Sequence, residues 1–146
     1  MKKEPKQVIV MRSDLKMRKG KMMAQAAHAA MIFLSRKVID SRQPQLETKE
    51  EKVLTKAFEF HNSSIPLSDA ELDWLENKFT KIALRVDSEE ELNRIYEEAK
   101  SAGLTVEKVI DSGATEFHGE PTFTCIAIGP DYPERIDPIT RELKLW

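Results

Sequence analysis

Four cations lie close together between residues 16 and 21. They are Lys16, Arg18, Lys19 and Lys21. An apolar run at residues 8–11 precedes them and an alanine-rich segment follows, an order that predicts a strand, a basic turn around Gly20 and a helix. The free N–H groups of a helix's first turn and the helix dipole both favour an anion. The stretch indicates a phosphate-bearing ligand; the alternative is a solvated loop whose lysines only keep the protein in solution.

A carboxylate follows a second predicted strand. Asp111 comes directly after the segment 106–110 and precedes Ser-Gly, and Thr115 lies four residues further on. In open α/β sheets, ligands collect at the carboxyl ends of the strands, so Asp111 is expected near the basic turn. An aspartate before Ser-Gly is equally typical of a turn, and both interpretations stay open.

Periodicity predicts the elements that must hold these residues. Strands are predicted at 7–12, 81–86, 106–110 and 123–128, the last ending at Gly129-Pro130. Helices are predicted at 22–38, from a capping box at Ser68 through Leu75, from Ser88 to near Gly103, and at 133–143, with Leu145 and Trp146 as a terminal anchor. This succession predicts a single α/β domain spanning residues 1–146.

Composition limits the class of protein. A chain of 146 residues, 40% apolar and 33% charged, can bury a core without disulfides or metal. Its single cysteine, Cys125, lies in an apolar segment, where a thiol packs as a small hydrophobe. No apolar stretch approaches a membrane span and the amino terminus lacks the apolar core of a secretion signal, so a cytoplasmic location is expected.

Charge is unevenly distributed along the chain. Residues 1–37 hold ten Lys and Arg against two acidic residues, although the whole chain carries a net charge of −2. Such segregation lets an acidic protein present one cationic face to RNA. His61 and His118 lack cysteine or carboxylate partners at ligand spacing, so no metal site is predicted.

The segment at about 37–67 is predicted to be a polar helical insertion. Pro44 and Pro66 mark breaks in it, and residues 48–60 fit a charged amphipathic helix. We expect this insertion to be mobile.

Several motifs together resemble one family. They are Arg12-Ser-Asp-Leu-Lys-Met-x-Lys-Gly-Lys-x-x-Ala-Gln-x-x-His-Ala29, Asp111-x-Gly-x-Thr115, Ile128-Gly-Pro130 and Leu143-Lys-Leu145. In order and spacing they are similar to the archaeal and eukaryotic type of peptidyl-tRNA hydrolase, the Pth2 family. With residues 81–103 they cover about three quarters of the chain. Two features depart from the family pattern. The spacing from Thr115 to Ile128-Gly-Pro130 is one residue longer, with Glu116 where a glutamine is usual, and the segment 37–67 is longer.

The resemblance implies an α/β domain with a four-stranded mixed sheet flanked by helices on both faces. It implies cleavage of the ester between a peptide and the 3′ ribose of tRNA, without metal or cofactor, and makes a homodimer plausible. Its functional residues fall on Lys21, Gln25, His28, Asp111, Thr115 and Thr124. Lys21, Gln25 and His28 are spaced four and three apart, so they are expected on one helix face. His28, among alanines, is expected to be a hydrogen-bonded packing or orienting residue.

Ester hydrolysis needs a positioned water, a group that accepts its proton, and donors for the developing oxyanion. We expect Asp111 to orient or deprotonate the water, Lys21 to stabilise the oxyanion or the 3′-terminal phosphate, and Thr115 to relay a proton. An ordinary carboxylate is a weak base at neutral pH, so Asp111 needs either a raised pKa or a purely orienting role. The other cations are expected to contact phosphates. The alternative function is a non-catalytic RNA-binding or protein-interaction module on the same scaffold.

Overall fold

The computed structural model describes residues 3–41 and 64–146. The strands in that part of the chain are β1 (Lys6–Arg12), β2 (Lys81–Val86), β3 (Val106–Asp111), β4 (Thr122–Asp131) and β5 (Lys144–Leu145). The helices are α1 (Lys19–Asp40), α2 (Asp69–Glu76), α3 (Glu89–Ser101) and α4 (Pro133–Thr140). The strands form one sheet in the order β3-β4-β1-β2-β5.

The directions of the strands decide which residues share an edge of the sheet. β1 is parallel to β2 and antiparallel to β4, and β3 is antiparallel to β4. β1 and β3 therefore run the same way, on either side of β4. Their carboxyl ends, Arg12 and Asp111, therefore lie at the same end of the sheet. In α/β proteins this is where functional groups collect.

Helices cover both faces of the sheet, so β1 and β4 are buried on both sides. Alternate residues of β1 enter opposite cores: Val8 and Val10 face one, Ile9 and Met11 the other. The first core includes Leu92 and Ile95 of α3 and Ile136 of α4. The second includes Ala29 of α1, and the small side chains of that helix allow it to lie close to the sheet.

The predicted mixed α/β fold is confirmed, and the sheet has five strands instead of four. The fifth, β5, has only two residues, paired with Leu84 and Arg85, which is too short for an alternating pattern to reveal. The predicted end of β4 at Gly129-Pro130 is wrong, since the strand continues to Asp131. The terminal anchor is made by the backbone: Trp146 N–H donates to the Ala83 carbonyl at 3.1 Å, while the indole is 48% exposed.

Local signals placed two helix starts correctly. The Ser68 hydroxyl accepts from the Glu71 N–H, and the Glu71 carboxylate accepts from the Ser68 N–H, which completes the predicted capping box of α2. Ser88 likewise accepts from the Glu91 N–H at the start of α3. These caps depend on residues three positions apart, which is why sequence alone reveals them.

Most of the predicted insertion, including the helix at 48–60, lies outside the described residues. Residues 37–40 belong to the last turns of α1. In the described part of the chain, no helix combines the length and the apolar character needed to cross a membrane.

Candidate active site

The turn between β1 and α1 does not lie at Gly20, where it was predicted. α1 begins at Lys19, so Gly20 lies within its first turn, and a Cβ built on Gly20 meets no atom within 4 Å. The bend falls earlier, where Lys16 has a φ of +50°. The first turn of α1 contains no acidic residue, and no side chain caps it at Arg18.

Asp111 and Lys21, ninety positions apart in the chain, form an ion pair. The Lys21 Nζ lies 2.7 Å from Asp111 Oδ1, and the two side chains are only 13% and 11% exposed. The same Oδ1 accepts from Gln25 Nε2 at 3.2 Å. Lys21 and Gln25 lie one helical turn apart on α1, so the helix presents two donors to the carboxylate that ends β3.

The turn after β3 supplies a third donor. Asp111 Oδ2 accepts from the backbone N–H of Gly113 at 2.9 Å, the Asx arrangement typical of Asp-x-Gly. Gly113 has a φ of +82°, and a Cβ there would lie 2.3 Å from the Glu120 carbonyl oxygen, so only glycine fits. Asp111 thus forms the turn and pairs with Lys21 at the same time, so the two interpretations of the sequence are compatible. The Gly113 donor was missed, although the Asp-x-Gly pattern signals it.

These donors lower the pKa of Asp111. The hydrogen bond from Lys21 is the largest cause, opposed by burial and reinforced by the Gly113 N–H, the Lys21 charge and Gln25. A carboxylate with three hydrogen-bond donors and an adjacent cation is stabilised in its charged form. Asp111 is therefore ionised at neutral pH and is a weaker base than an ordinary aspartate.

A hydrogen bond from Thr124 fixes the orientation of the Gln25 side-chain amide. Its Oε1 accepts from the Thr124 hydroxyl at 2.5 Å, which directs its Nε2 toward Asp111. Gln25 is 2% exposed and Thr124 fully buried. The neighbouring Cys125 is also buried, which raises the pKa of its thiol to about 12 and keeps it unreactive. Thr124 thus acts on the site through Gln25.

Thr124→Val is expected to lower both activity and stability. It removes the hydroxyl while nearly keeping the volume, and leaves the buried Gln25 oxygen without its donor, at a cost of about 1–3 kcal/mol. Thermal unfolding and single-turnover cleavage of the ester that the family resemblance implies measure the two effects. Thr140→Val is the matched control, because Thr140 is also buried and, among the residues that the structure describes, its hydroxyl donates only within α4, to the Ile136 carbonyl. Equal losses of activity in both variants would contradict this role of Thr124.

Lys21 has two further neighbours. Its Nζ donates to the Thr115 hydroxyl oxygen at 2.8 Å and lies 5.6 Å from the centre of the Phe117 ring. Phe117 was missed by sequence reasoning and carries no motif that would reveal it. The ammonium is thus enclosed by a carboxylate, a hydroxyl and an aromatic face, the last a weak attraction at this distance.

Five of the predicted residues belong to one hydrogen-bonded network. They are Lys21, Gln25, Asp111, Thr115 and Thr124. The other predicted cations, Lys16, Arg18 and Lys19, are exposed at the start of α1 and make no hydrogen bond to the network. They lie beside the network, and their side chains are open to a ligand.

His28 lies outside this network. It is exposed on α1 and, within the described residues, forms no hydrogen bond or ion pair, unlike the hydrogen-bonded packing residue that was expected. Helical spacing placed it on the same side as Gln25, yet Gln25 is buried and His28 is exposed. It lines a surface groove between α1 and β3.

Glu116, which stands where the family usually has a glutamine, belongs to the loop between β3 and β4 and lies close to the start of α1. Its carboxylate is 3.4 Å from the Arg18 N–H and 3.8 Å from the Arg18 Nε. It brings negative charge to a helix start that lacks its own acidic residue, which is favourable with respect to the helix dipole.

An ionised carboxylate, a lysine, a hydroxyl and a buried amide thus meet where two parallel strands of an α/β sheet end. No group of three or more potential metal-ligating side chains occurs in residues 3–41 and 64–146. Fold and site together define the class: an α/β protein that brings together a carboxylate and a cation, groups of the kind that ester hydrolysis requires.

Comparison with known proteins gives the family. The family model described as Peptidyl-tRNA hydrolase PTH2 matches residues 5–146. A peptidyl-tRNA hydrolase of Methanothermobacter thermautotrophicus is 38% identical over 96% of this chain and 98% of its own length. Those of Methanocaldococcus jannaschii and Sulfurisphaera tokodaii are 36% and 39% identical over 96% of this chain and 98% and 97% of theirs. The chain belongs to the PTH2 family of peptidyl-tRNA hydrolases.

Proposed function

We propose that this protein hydrolyses the ester bond of peptidyl-tRNA and that Lys21, Asp111 and Thr115 act on that ester. Family membership supports the activity. The observation that supports the site is the distance of 2.7 Å between Lys21 Nζ and Asp111 Oδ1, with Thr115 bonded to the same ammonium. No cofactor is needed for this chemistry.

Lys21 has one donor left for the substrate. An ammonium carries three N–H groups, and Asp111 and Thr115 accept two of them. The third is free to donate to the ester oxygen as negative charge develops on it, or to the 3′-terminal phosphate. Because the ammonium is held by two partners, little reorganisation accompanies the reaction, which is the condition for effective electrostatic stabilisation.

Asp111 orients the water in this proposal and does not deprotonate it in advance. Its carboxylate has about four acceptor positions, and three are taken by Lys21, Gln25 and Gly113. The remaining position on Oδ2 can accept from a water and direct its lone pair at the ester carbonyl. The lowered pKa favours this role over that of a strong base. Thr115 accepts from Lys21 and relays a proton. As the water oxygen bonds to the ester carbon, the water's proton passes to the Thr115 oxygen, and the Thr115 proton passes to the ribose oxygen whose bond to that carbon breaks.

The exposed cations at the start of α1 bind the tRNA backbone in this proposal. Lys16, Arg18 and Lys19 have no tight ion-pair partner among the described residues; Arg18 approaches Glu116 at 3.8 Å. Phosphate contacts of this kind supply affinity that falls with salt and carry no base specificity. Acceptor-end recognition then depends on phosphates, shape and the ester itself.

The alternative, a non-catalytic module, is not favoured. It was suggested by the acidic net charge, Glu116 and the long segment 37–67, yet relatives matched over nearly their whole length are named as hydrolases. We further propose a single domain over residues 1–146 with a polar insertion at about 37–67, a cytoplasmic location and a homodimer. Light scattering of the purified protein tests the last of these.

Release of free tRNA from N-acetyl-aminoacyl-tRNA tests the function. We expect multiple turnovers, with a KM that rises steeply between about 50 and 200 mM salt, as for a protein that contacts several phosphates. Inactive protein from the same preparation, denatured by heat, is the control for spontaneous ester hydrolysis. Saturable tRNA binding without turnover would overturn the proposal and support the module.

A further inference from the structure

A groove leads away from the active site along α1. It has a volume of about 740 Å³, within the range of pockets that hold extended small ligands. Its lining comes from one flank of α1 and from β3: Ala27, His28, Met31, Ile32, Val109 and Ile110 form the part next to the site. His28 lies one turn beyond Gln25, and Ile110 directly precedes Asp111. The groove therefore begins next to the active site, within one residue of Asp111 on β3 and one turn of Gln25 on α1.

The floor of the groove is apolar and partly exposed. Met31 is 64% and Ile110 55% exposed, although both are large hydrophobic side chains. Arg36 lines the groove further along α1, where its guanidinium pairs with Glu107 at 3.0 Å. A methionine is unbranched and adapts its shape to many partners, so this surface suits ligands whose side chains vary.

β3 offers a second, sequence-independent contact. It is at the edge of the sheet and, among the described residues, pairs only with β4. Alternate residues of an edge strand direct their N–H and C=O groups outward, where an extended peptide can add as a further strand. Such pairing recognises the main chain of any sequence.

The proposed substrate has a tRNA arm and a peptide arm, joined by the ester, and the two arms differ in the chemical groups that they offer to the protein. The exposed cations lie at the amino-terminal end of α1, whereas the groove runs along the same helix in the opposite direction from Lys21 and Asp111. Phosphates are attracted to the cations, and an apolar groove beside a free strand edge attracts a polypeptide. The ester between the arms then lies at Lys21 and Asp111.

We propose that the groove between α1 and β3 binds the peptide arm of peptidyl-tRNA in extended conformation, paired with the outer edge of β3. The proposal rests on the proposed function. From Asp111 back to Lys108 the strand spans about 10 Å, enough for about three residues at 3.3 Å each. The first residues after the ester thus contribute to binding, and residues beyond them do not.

Substrates of different peptide length test this. With wild-type protein, the KM of acetyl-tetraalanyl-tRNA is expected to be about tenfold below that of acetyl-alanyl-tRNA, with longer peptides adding little. N-methylation of the tetrapeptide's amides removes the main-chain donors and should abolish most of that gain. Equal KM values for all three substrates, with normal turnover, would overturn the groove proposal and leave the function intact. No cleavage of any substrate would overturn both.

Met31→Gln and Met23→Gln form a matched pair. Both methionines lie on α1 and are 64% and 67% exposed, but only Met31 lines the groove; Met23 lines a different pocket, beside Trp146. Met31→Gln should raise the KM of acetyl-tetraalanyl-tRNA about three- to fivefold through lost apolar contact and leave that of acetyl-alanyl-tRNA within about twofold. Met23→Gln should change neither. If Met31→Gln raises both KM values equally and converts a dimer into a monomer, a second copy of the chain occupies the groove and the proposal fails.

Discussion

Replacing Asp111 with asparagine is expected to lower kcat by about 10³-fold, with a much smaller change in KM. The carboxylate accepts from Lys21 and Gln25 on one oxygen and from the Gly113 N–H on the other. Asparagine offers one acceptor and one NH₂ group, so one of these donors must face another donor. The charge opposite Lys21 is lost as well. Single-turnover cleavage at saturating N-acetyl-aminoacyl-tRNA measures the effect.

Asp131→Asn is the matched control for that loss. Its carboxylate is also 11% exposed and paired, with Arg135 at 2.5 Å, but it lies at the far end of β4 from the active site. We expect kcat within about twofold of wild type, since Asp131 touches no group of the network. Similar losses in the two variants would show that Asp111 matters only for stability.

The pH profile distinguishes the two roles that the sequence left open for Asp111. Because its pKa is lowered, Asp111 is already ionised throughout the range from about pH 5 to 8, and wild type and Asp111→Asn should have profiles of the same shape there. The ion pair of Asp111 adds to the free energy of unfolding. This stabilisation is complete above the ordinary aspartate pKa of about 4 and is lost as the pH falls through the lowered pKa of the folded state. An acid limb between about pH 5 and 7 that disappears in Asp111→Asn would contradict an orienting role.

Lys21→Met is expected to lower kcat by about 10²-fold, the loss typical of removing one oxyanion donor. Methionine keeps the length and apolar stem of lysine but not the ammonium that bridges Asp111 and Thr115. The pKa of Asp111 then rises toward its ordinary value, because the largest cause of its shift is removed. Lys21→Arg is also expected to lose activity, although it keeps the charge, since a planar guanidinium cannot replace a compact ammonium between these partners.

Lys19→Ala separates chemistry from tRNA affinity. Lys19 lies two residues before Lys21 on the same helix but is exposed and outside the network. Its loss should raise KM, reduce the slope of log affinity against log salt by about 0.7–0.9, and leave kcat unchanged. If Lys21→Met behaves in the same way, Lys21 is a phosphate contact and takes no part in the chemical step.

Some of the fold was predictable because its signals are local. The capping box at Ser68 and the apolar run of β1 are signals carried by neighbouring residues, and both elements were predicted correctly. β5 and the continuation of β4 past Gly129 were not, since two-residue pairing and a strand through Gly-Pro have no periodic signature. The helix predicted at 48–60 stays a prediction outside the described residues.

The candidate site divides in the same way. Lys21, Gln25, Asp111, Thr115 and Thr124 were named from motifs, and the structure joins them. The resemblance and the helical spacing grouped His28 with Gln25, whereas in the structure Gln25 is buried and His28 is exposed. Which side of a helix is buried depends on the element packed against it, and spacing does not contain that information.

The sequence by itself determined the types of chemical group, their order and the secondary structure that carries them. Only the tertiary structure decided that the carboxylate of Asp111 meets Lys21, that its pKa is lowered, and that Thr124 fixes the Gln25 amide. The physical reason is range. Backbone propensity and capping act over a few residues, whereas charge interactions and hydrogen bonds depend on distances between atoms that the folded sheet brings together from ninety positions apart.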